Sequence, residues 1–89
     1  MNERDIQAII NRYNKATEGN WIAYVEGRDH TSGSSFIMTI DKNGERGNDL
    51  EIIGATEADF DFIAHAKQDI PLLIEEVKRL SNLINENSN

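Results

Sequence analysis

The stretch FIMTIDKNGERGNDLEII, residues 36–53, decides how this chain is read. Phe36 to Asp41 alternates apolar and polar, with Phe36, Met38 and Ile40 on one side, as a strand with one face buried would. Asn43-Gly44 follows, a strong hairpin-turn dipeptide. Leu50 to Ile53 then reads as a short returning strand. Upstream, Trp21 to Glu26 alternates too, with Trp21, Ala23 and Val25 on one face and Ile22 and Tyr24 on the other. Three such runs in sequence predict an antiparallel meander. Its apolar face needs a cover, which the flanking segments must provide.

Those flanks carry helical spacing. Ile6, Ile9, Ile10, Tyr13 and Ala16 recur on one stripe, behind Asn2 as N-cap and acidic Glu3 and Asp5 in the first turn. Gly19 is the expected left-handed stop. After the meander, Thr56 and Asp59 form a variant capping box, and Phe60, Ile63 and Ala64 begin a second stripe, with Phe62 and Ala66 beside it. Asp69 and Pro71 read as the start of a further helix, or as a kink within one long helix. Ile70, Leu73, Val77, Leu80 and Ile84 follow a heptad rhythm, and Leu72, Ile74 and Leu83 widen it. A helix apolar on two sides should touch both its own sheet and a partner subunit. The polar tail from Asn85 to Asn89 is expected to fray. The predicted fold class is therefore α+β: one domain over 1–89, with an N-terminal helix, a three-stranded antiparallel meander and two C-terminal helices, or one kinked helix.

Composition narrows the function. With 89 residues and 38% hydrophobic content, the chain forms one small domain with a limited core, which oligomerisation would reinforce. The absence of cysteine removes disulfides and thiolate zinc sites. No run approaches the roughly 20 apolar residues of a membrane span, and the charged N-terminus lacks a signal-peptide core, so a cytoplasmic location is expected. Sixteen acidic against nine basic residues give a net charge of -7. Lys78-Arg79 is flanked by Glu75 and Glu76, so no basic face for DNA or RNA emerges, while an acidic mimic of DNA stays open.

The chemistry concentrates in EGRDHTSGSS, residues 26–35, a ten-residue polar loop where a hairpin normally needs about two to five residues. Arg28 could grip a phosphate with two parallel bonds. Thr31, Ser32, Ser34 and Ser35 can donate and accept, and Gly27 and Gly33 permit turns that aim backbone N–H groups at an anion. Asp29 and His30 add polar contacts. Tyr24, with Trp21 and Phe36, could stack on a flat ring, and Arg46 is a second anion contact if its turn folds toward the loop. The plain alternative is a solvated hairpin tip, with Asp29 bonded to its own backbone. A hydrolase built from Asp29, His30 and serines is disfavoured, because neighbours on one loop seldom make a triad. His65 within a helix and only two histidines in all give no metal pattern. Gly44-Glu45-Arg46-Gly47 matches the G-x-x-G of RNA-clamping KH loops in form, but it sits between strands and reads as turn chemistry.

Both ends of the chain carry a resemblance. ATEGNW, residues 16–21, is similar to the Ala-Thr-Pro-Gly-Pro-Trp that follows the first helix in the Ead-like small proteins of phages and prophages, with Glu18 and Asn20 in place of two prolines. Residues 55–80, ATEADFDFIAHAKQDIPLLIEEVKRL, resemble their closing segment, where an aromatic-Ile-Ala stretch precedes a Leu- and Glu-rich helix. The resemblance covers about half the chain and implies a phage-encoded accessory protein of the host cytoplasm, without an implied activity. Small acidic oligomeric phage proteins of similar organisation include sponges that sequester cyclic-nucleotide signals of bacterial antiphage defence. The leading expectation is thus a non-enzymatic, homo-oligomeric protein, joined through its C-terminal helix and without cofactor, that sequesters a small phosphorylated ligand such as a cyclic dinucleotide. The alternatives are a module that binds a host protein through that helix, and a nucleotide-cleaving enzyme.

Overall fold

Helix α1 forms over Glu3–Lys15 because both ends of its first turn are closed. The Asn2 side chain accepts from the Asp5 amide, and the Asp5 carboxylate accepts from the Asn2 amide. Extended backbone at Ala16 ends it, and Gly19 lies beyond the helix rather than at its cap. Strands β1 (Asn20–Tyr24), β2 (Phe36–Ile40) and β3 (Arg46–Leu50) follow, then a single helix α2 over Glu57–Asn87. This computed structural model describes residues 1–87. The expected fraying tail falls partly within α2, and Ser88 and Asn89 lie outside the described residues.

The sheet is the expected meander, in order β1-β2-β3 and antiparallel throughout. The third strand begins earlier than hydropathy predicts. Asp41 anchors the turn with its carboxylate on the amides of Asn43 and Glu45, while its backbone amide donates to the Glu45 carbonyl. A turn so fixed forces pairing to resume at once, so Arg46 sits opposite Ile40, and polar Arg46 to Asp49 forms the strand. Leu50 closes β3 opposite Ile37, and Ile53 is left fully in solvent.

Helix α2 covers one face of the sheet. Val25, Ile37, Phe60 and Ala64 are the buried core, with Trp21, Ala23, Leu50 and Ile63 packed around them. The stripe Phe36, Met38 and Ile40 lies on the opposite face, with Tyr24 facing Phe36 and Ile22 facing Met38. Reciprocal bonds between Thr56 and Asp59 start α2. The helix passes through Pro71 without a second start, so Asp69 is interior and not a cap. At 1.5 Å per residue, 31 residues make a rod about 46 Å long, which accounts for most of the 59 Å long axis of the molecule. α1 lies along the middle of that rod, where Ile6 and Ile9 line a small apolar pocket together with Ile70, Ile74 and Val77. Leu72, Leu73, Leu80, Leu83 and Ile84 are exposed along its C-terminal half. No helix among the described residues is long and apolar enough to cross a membrane.

Candidate functional site

The polar loop between β1 and β2 is folded on itself by its own carboxylates. Asp29 accepts from the Val25 amide, and the amides of Arg28 and Asp29 both donate to the Val25 carbonyl. Glu26 reaches across the loop, and its Oε2 accepts from the amides of Ser32, at 3.0 Å, and Gly33, at 2.8 Å. Two consecutive N–H groups aimed at one carboxylate form the anion nest that a glycine at position 33 permits. Its anion is the chain's own Glu26. The Ser35 hydroxyl accepts from the Glu26 amide and closes the base of the loop.

Arg28 points away from this nest, toward the start of α2. Its guanidinium bonds Asp61 through both terminal nitrogens, at 2.8 and 2.9 Å, Glu57 at 2.9 Å, and Asp29 at 2.8 Å. The three carboxylates, Asp61 foremost, hold the arginine well above its ordinary range. In return, hydrogen bonds from Arg28 hold the carboxyls of Asp61 and Asp29 below theirs, helped at Asp29 by the Val25 amide. Arg28 thus faces three carboxylates and ties the loop to α2 in this structure, where the sequence suggests a phosphate grip.

His30 turns to the other face. Its ring lies edge-on to Phe36 at 5.1 Å and to Tyr24 at 6.1 Å, and those two rings stack on each other at 5.7 Å. The Arg46 guanidinium lies 5.6 Å from the Phe36 ring. Together they bound a hollow of about 500 Å³ to which Tyr24, His30, Ser32, Ser34 and Arg46 all contribute. Five of the ten residues singled out in the sequence thus meet in one place. Arg28, Asp29, Thr31, Gly33 and Ser35 do not line it. Phe36, Met38, Asp49 and Glu51 complete its walls. Phe36 and Met38 were readable as an apolar face, but nothing in the sequence said that this face, rather than the Ile37 face, would stay uncovered.

Charge in the hollow is mixed. Arg46 is paired with Asp49 at 2.9 Å, and Glu51 adds a further negative group. His30 Nδ1 lies 2.6 Å from the Ser32 hydroxyl, while its Nε2 is buried with no partner among the described residues. Glu26 approaches the same Nδ1, at 3.8 Å, rather than Nε2. In a nucleophilic triad the acid sits on the nitrogen opposite the hydroxyl, so this arrangement does not activate Ser32. His65 is exposed, with Nδ1 against the Asp61 carbonyl. The described residues contain no group of three potential metal ligands. Comparison with family models, with curated proteins and with solved structures returns no match.

Proposed function

We propose that this chain is a non-enzymatic protein that sequesters a small nucleotide-like ligand in the hollow on the open face of the sheet. One observation carries the reading: side chains from β1, the 26–35 loop and β3 converge there on a floor of stacked aromatic rings. Aromatic edges and faces suit a base, and the hydroxyls of Ser32 and Ser34 suit a sugar or phosphate. The phosphate contact passes from Arg28 to Arg46, which is more than half exposed and can exchange Asp49 for a ligand at little cost. Asp49 and Glu51 on the rim disfavour a triphosphate and favour a ligand whose few charges are spread out. A cyclic dinucleotide has that character. The resemblance to Ead-like phage proteins supports placing this action in the cytoplasm of an infected host. Calorimetry against mononucleotides and cyclic nucleotides tests the reading. A low-charge member should bind, Tyr24→Ala and Arg46→Ala should each weaken it at least tenfold, and the ligand should be recovered intact. Silence from every member with folded protein, or turnover that stops in His30→Ala, would refute it.

A second reading, an interaction module working through α2, is favoured by the uncovered apolar side chains of its C-terminal half. Leu72, Leu73, Leu80, Leu83 and Ile84 are each between 45% and 65% exposed. A second copy of the chain laid along this rod would bury them, so homo-oligomerisation serves both readings. Pull-down with wild type and with a Glu75→Lys, Glu76→Lys variant separates a host protein from self-association.

A further inference from the structure

A second cleft lies on the far side of the sheet, between α1 and α2, and it is chemically unlike the first. Its volume is about 530 Å³ and its walls are almost wholly apolar, formed chiefly by Ile9, Trp21, Phe62, Ile63 and Ile70. Two cations line it, Arg12 and Lys67. Lys67 is 7% exposed, which is exceptional for a lysine. Its ammonium sits 4.1 Å from the Tyr13 ring centroid and 5.5 Å from that of Trp21. Among the described residues, no carboxylate lies within ion-pair distance of Lys67 or Arg12.

A buried charge is ordinarily paired, since removing it from water without a partner is costly. Aromatic faces recover part of that cost but accept no conventional hydrogen bond from an ammonium. The cage offers the Lys67 ammonium no carboxylate at ion-pair distance, and Glu18 acts on it only from farther away, in a chain where acids outnumber bases sixteen to nine. The Lys67 ammonium is thus placed where a single anionic head could reach it while an apolar body fills the groove beyond, with Arg12 as the second cation.

We propose that the α1/α2 cleft is a binding site for a small amphipathic carboxylate, its head on Lys67 and Arg12 and its alkyl or aryl body against Ile9, Phe62 and Ile70. One negative charge suits two cations better than a polyphosphate would, because the molecule's overall field is negative. Burial holds the Lys67 amine below the ordinary lysine range, and a bound carboxylate would oppose that displacement. The site is separate from the hollow of Tyr24, His30 and Phe36, so each can fail without the other.

Trp21 is the chain's one tryptophan and lines this cleft, so its fluorescence reports occupancy directly. Decanoate, decanol and decyltrimethylammonium, each below its aggregation threshold, should be titrated into the intact chain. Decanoate should give a saturable change, with decanol at least tenfold weaker and the cation weaker still. Lys67→Met, which keeps the stem and removes the charge, should abolish the preference for decanoate over decanol. Phe62→Glu changes a side chain 76% exposed, leaves the core alone, and should repel decanoate at the cleft mouth. The proposal is overturned by equal response to decanoate and decanol, or by decanoate binding unchanged in both variants. A silent titration of wild type, including one caused by a second copy already seated in the cleft, also overturns it.

Discussion

Replacing Gly19 by alanine is the sharpest test of how β1 is seated. Gly19 has φ +93°, a left-handed conformation, so any L side chain there costs about 1–2 kcal/mol. Its surroundings add a second penalty. A Cβ built on Gly19 falls inside the contact radius of the Ile40 carbonyl oxygen, 2.7 Å from the carbonyl carbon and 2.9 Å from Asp41 Cα. Those are backbone atoms, which cannot swing aside as the end of a side chain can. The chain must separate where Asn20 pairs with Ile40, the outermost pair of the β1–β2 ladder. Losing one ladder hydrogen bond costs roughly 0.5–1.5 kcal/mol, and the combined effect is about 1.5–3.5 kcal/mol. For a domain of this size that lowers Tm by about 6–28 °C. Gly54→Ala is the internal control. It has φ +84° and nothing within 4 Å, so it carries the conformational penalty alone. Circular-dichroism melts and urea titrations of the two variants should differ by about 0.5–1.5 kcal/mol, with Gly19→Ala the weaker. Equal destabilisation would refute the close approach of β1 to Ile40. The same variant should perturb the Trp21 spectrum, because the indole N–H donates to the Thr17 carbonyl across this turn.

Arg28→Gln should leave the acid side of the stability profile flatter. Asp61 and Asp29 are held below the ordinary aspartate value of 3.8, so their contribution is complete above that value and is lost as pH falls through the lower folded-state values. Urea midpoints from pH 2 to 5 should show the steeper acid loss in wild type only, and identical profiles would contradict the tether. Lys67 acts on the alkaline side with opposite sense. Its folded pKa lies below 10.5, so between the two values the unfolded chain holds more protons and stability rises with pH. Lys67→Met should remove that rise, and a variant that keeps it would mean Lys67 is not the source. Finally, Leu73→Glu with Leu80→Glu alters two exposed positions of α2, 63% and 45% accessible, and should change monomer stability by no more than about 0.5 kcal/mol per site. Sedimentation should show dissociation of any oligomer; an unchanged distribution would remove α2 as the interface.

The order of elements was readable because each was announced locally. Asn2 with Asp5, Thr56 with Asp59 and Asn43-Gly44 are short-range signals, and the structure uses all three. Hydropathy misplaces β3 because Arg46 to Asp49 has no apolar side chain, and a turn rather than hydrophobic patterning sets its register. α2 is not divided at Pro71 because a helix packed on a sheet and on α1 tolerates one missing amide donor. Arg28 could not be assigned from the loop, because Glu57 and Asp61 lie 29 and 33 residues away. A signal did exist: Glu57 and Asp61 are spaced i,i+4, which puts two acids on one helix face ready for one guanidinium. Lys67 had a signal too. Phe60, Ala64, Lys67 and Pro71 share one helical stripe, and a lysine inside an apolar stripe marks a charge the fold must bury.

The two-sided use of the 26–35 loop couples Arg28 to the hollow on the open face without Arg28 lining it. The loop leaves β1 beside buried Val25, and its first half is held to α2 by Arg28, on the covered side of the sheet. Its second half carries His30 over Phe36 and Tyr24 on the open side. Glu26 joins the halves by accepting from Ser32 and Gly33. Ten polar residues have no core of their own, so hydrogen bonds, ion pairs and the ring contacts of His30 must oppose the entropy of the loop. If the tether is cut, the His30 end of the hollow should loosen while Arg46, carried by β3, stays in place. Ligand affinity in Arg28→Gln should then fall through a faster off-rate from a less preorganised site, whereas Arg46→Ala removes a contact outright. Added Glu26→Gln separates the two cases. It weakens the same joint from inside the loop, so its effect should be small on top of Arg28→Gln and full on top of Arg46→Ala. Full additivity with Arg28→Gln would mean that the loop is not held as one unit.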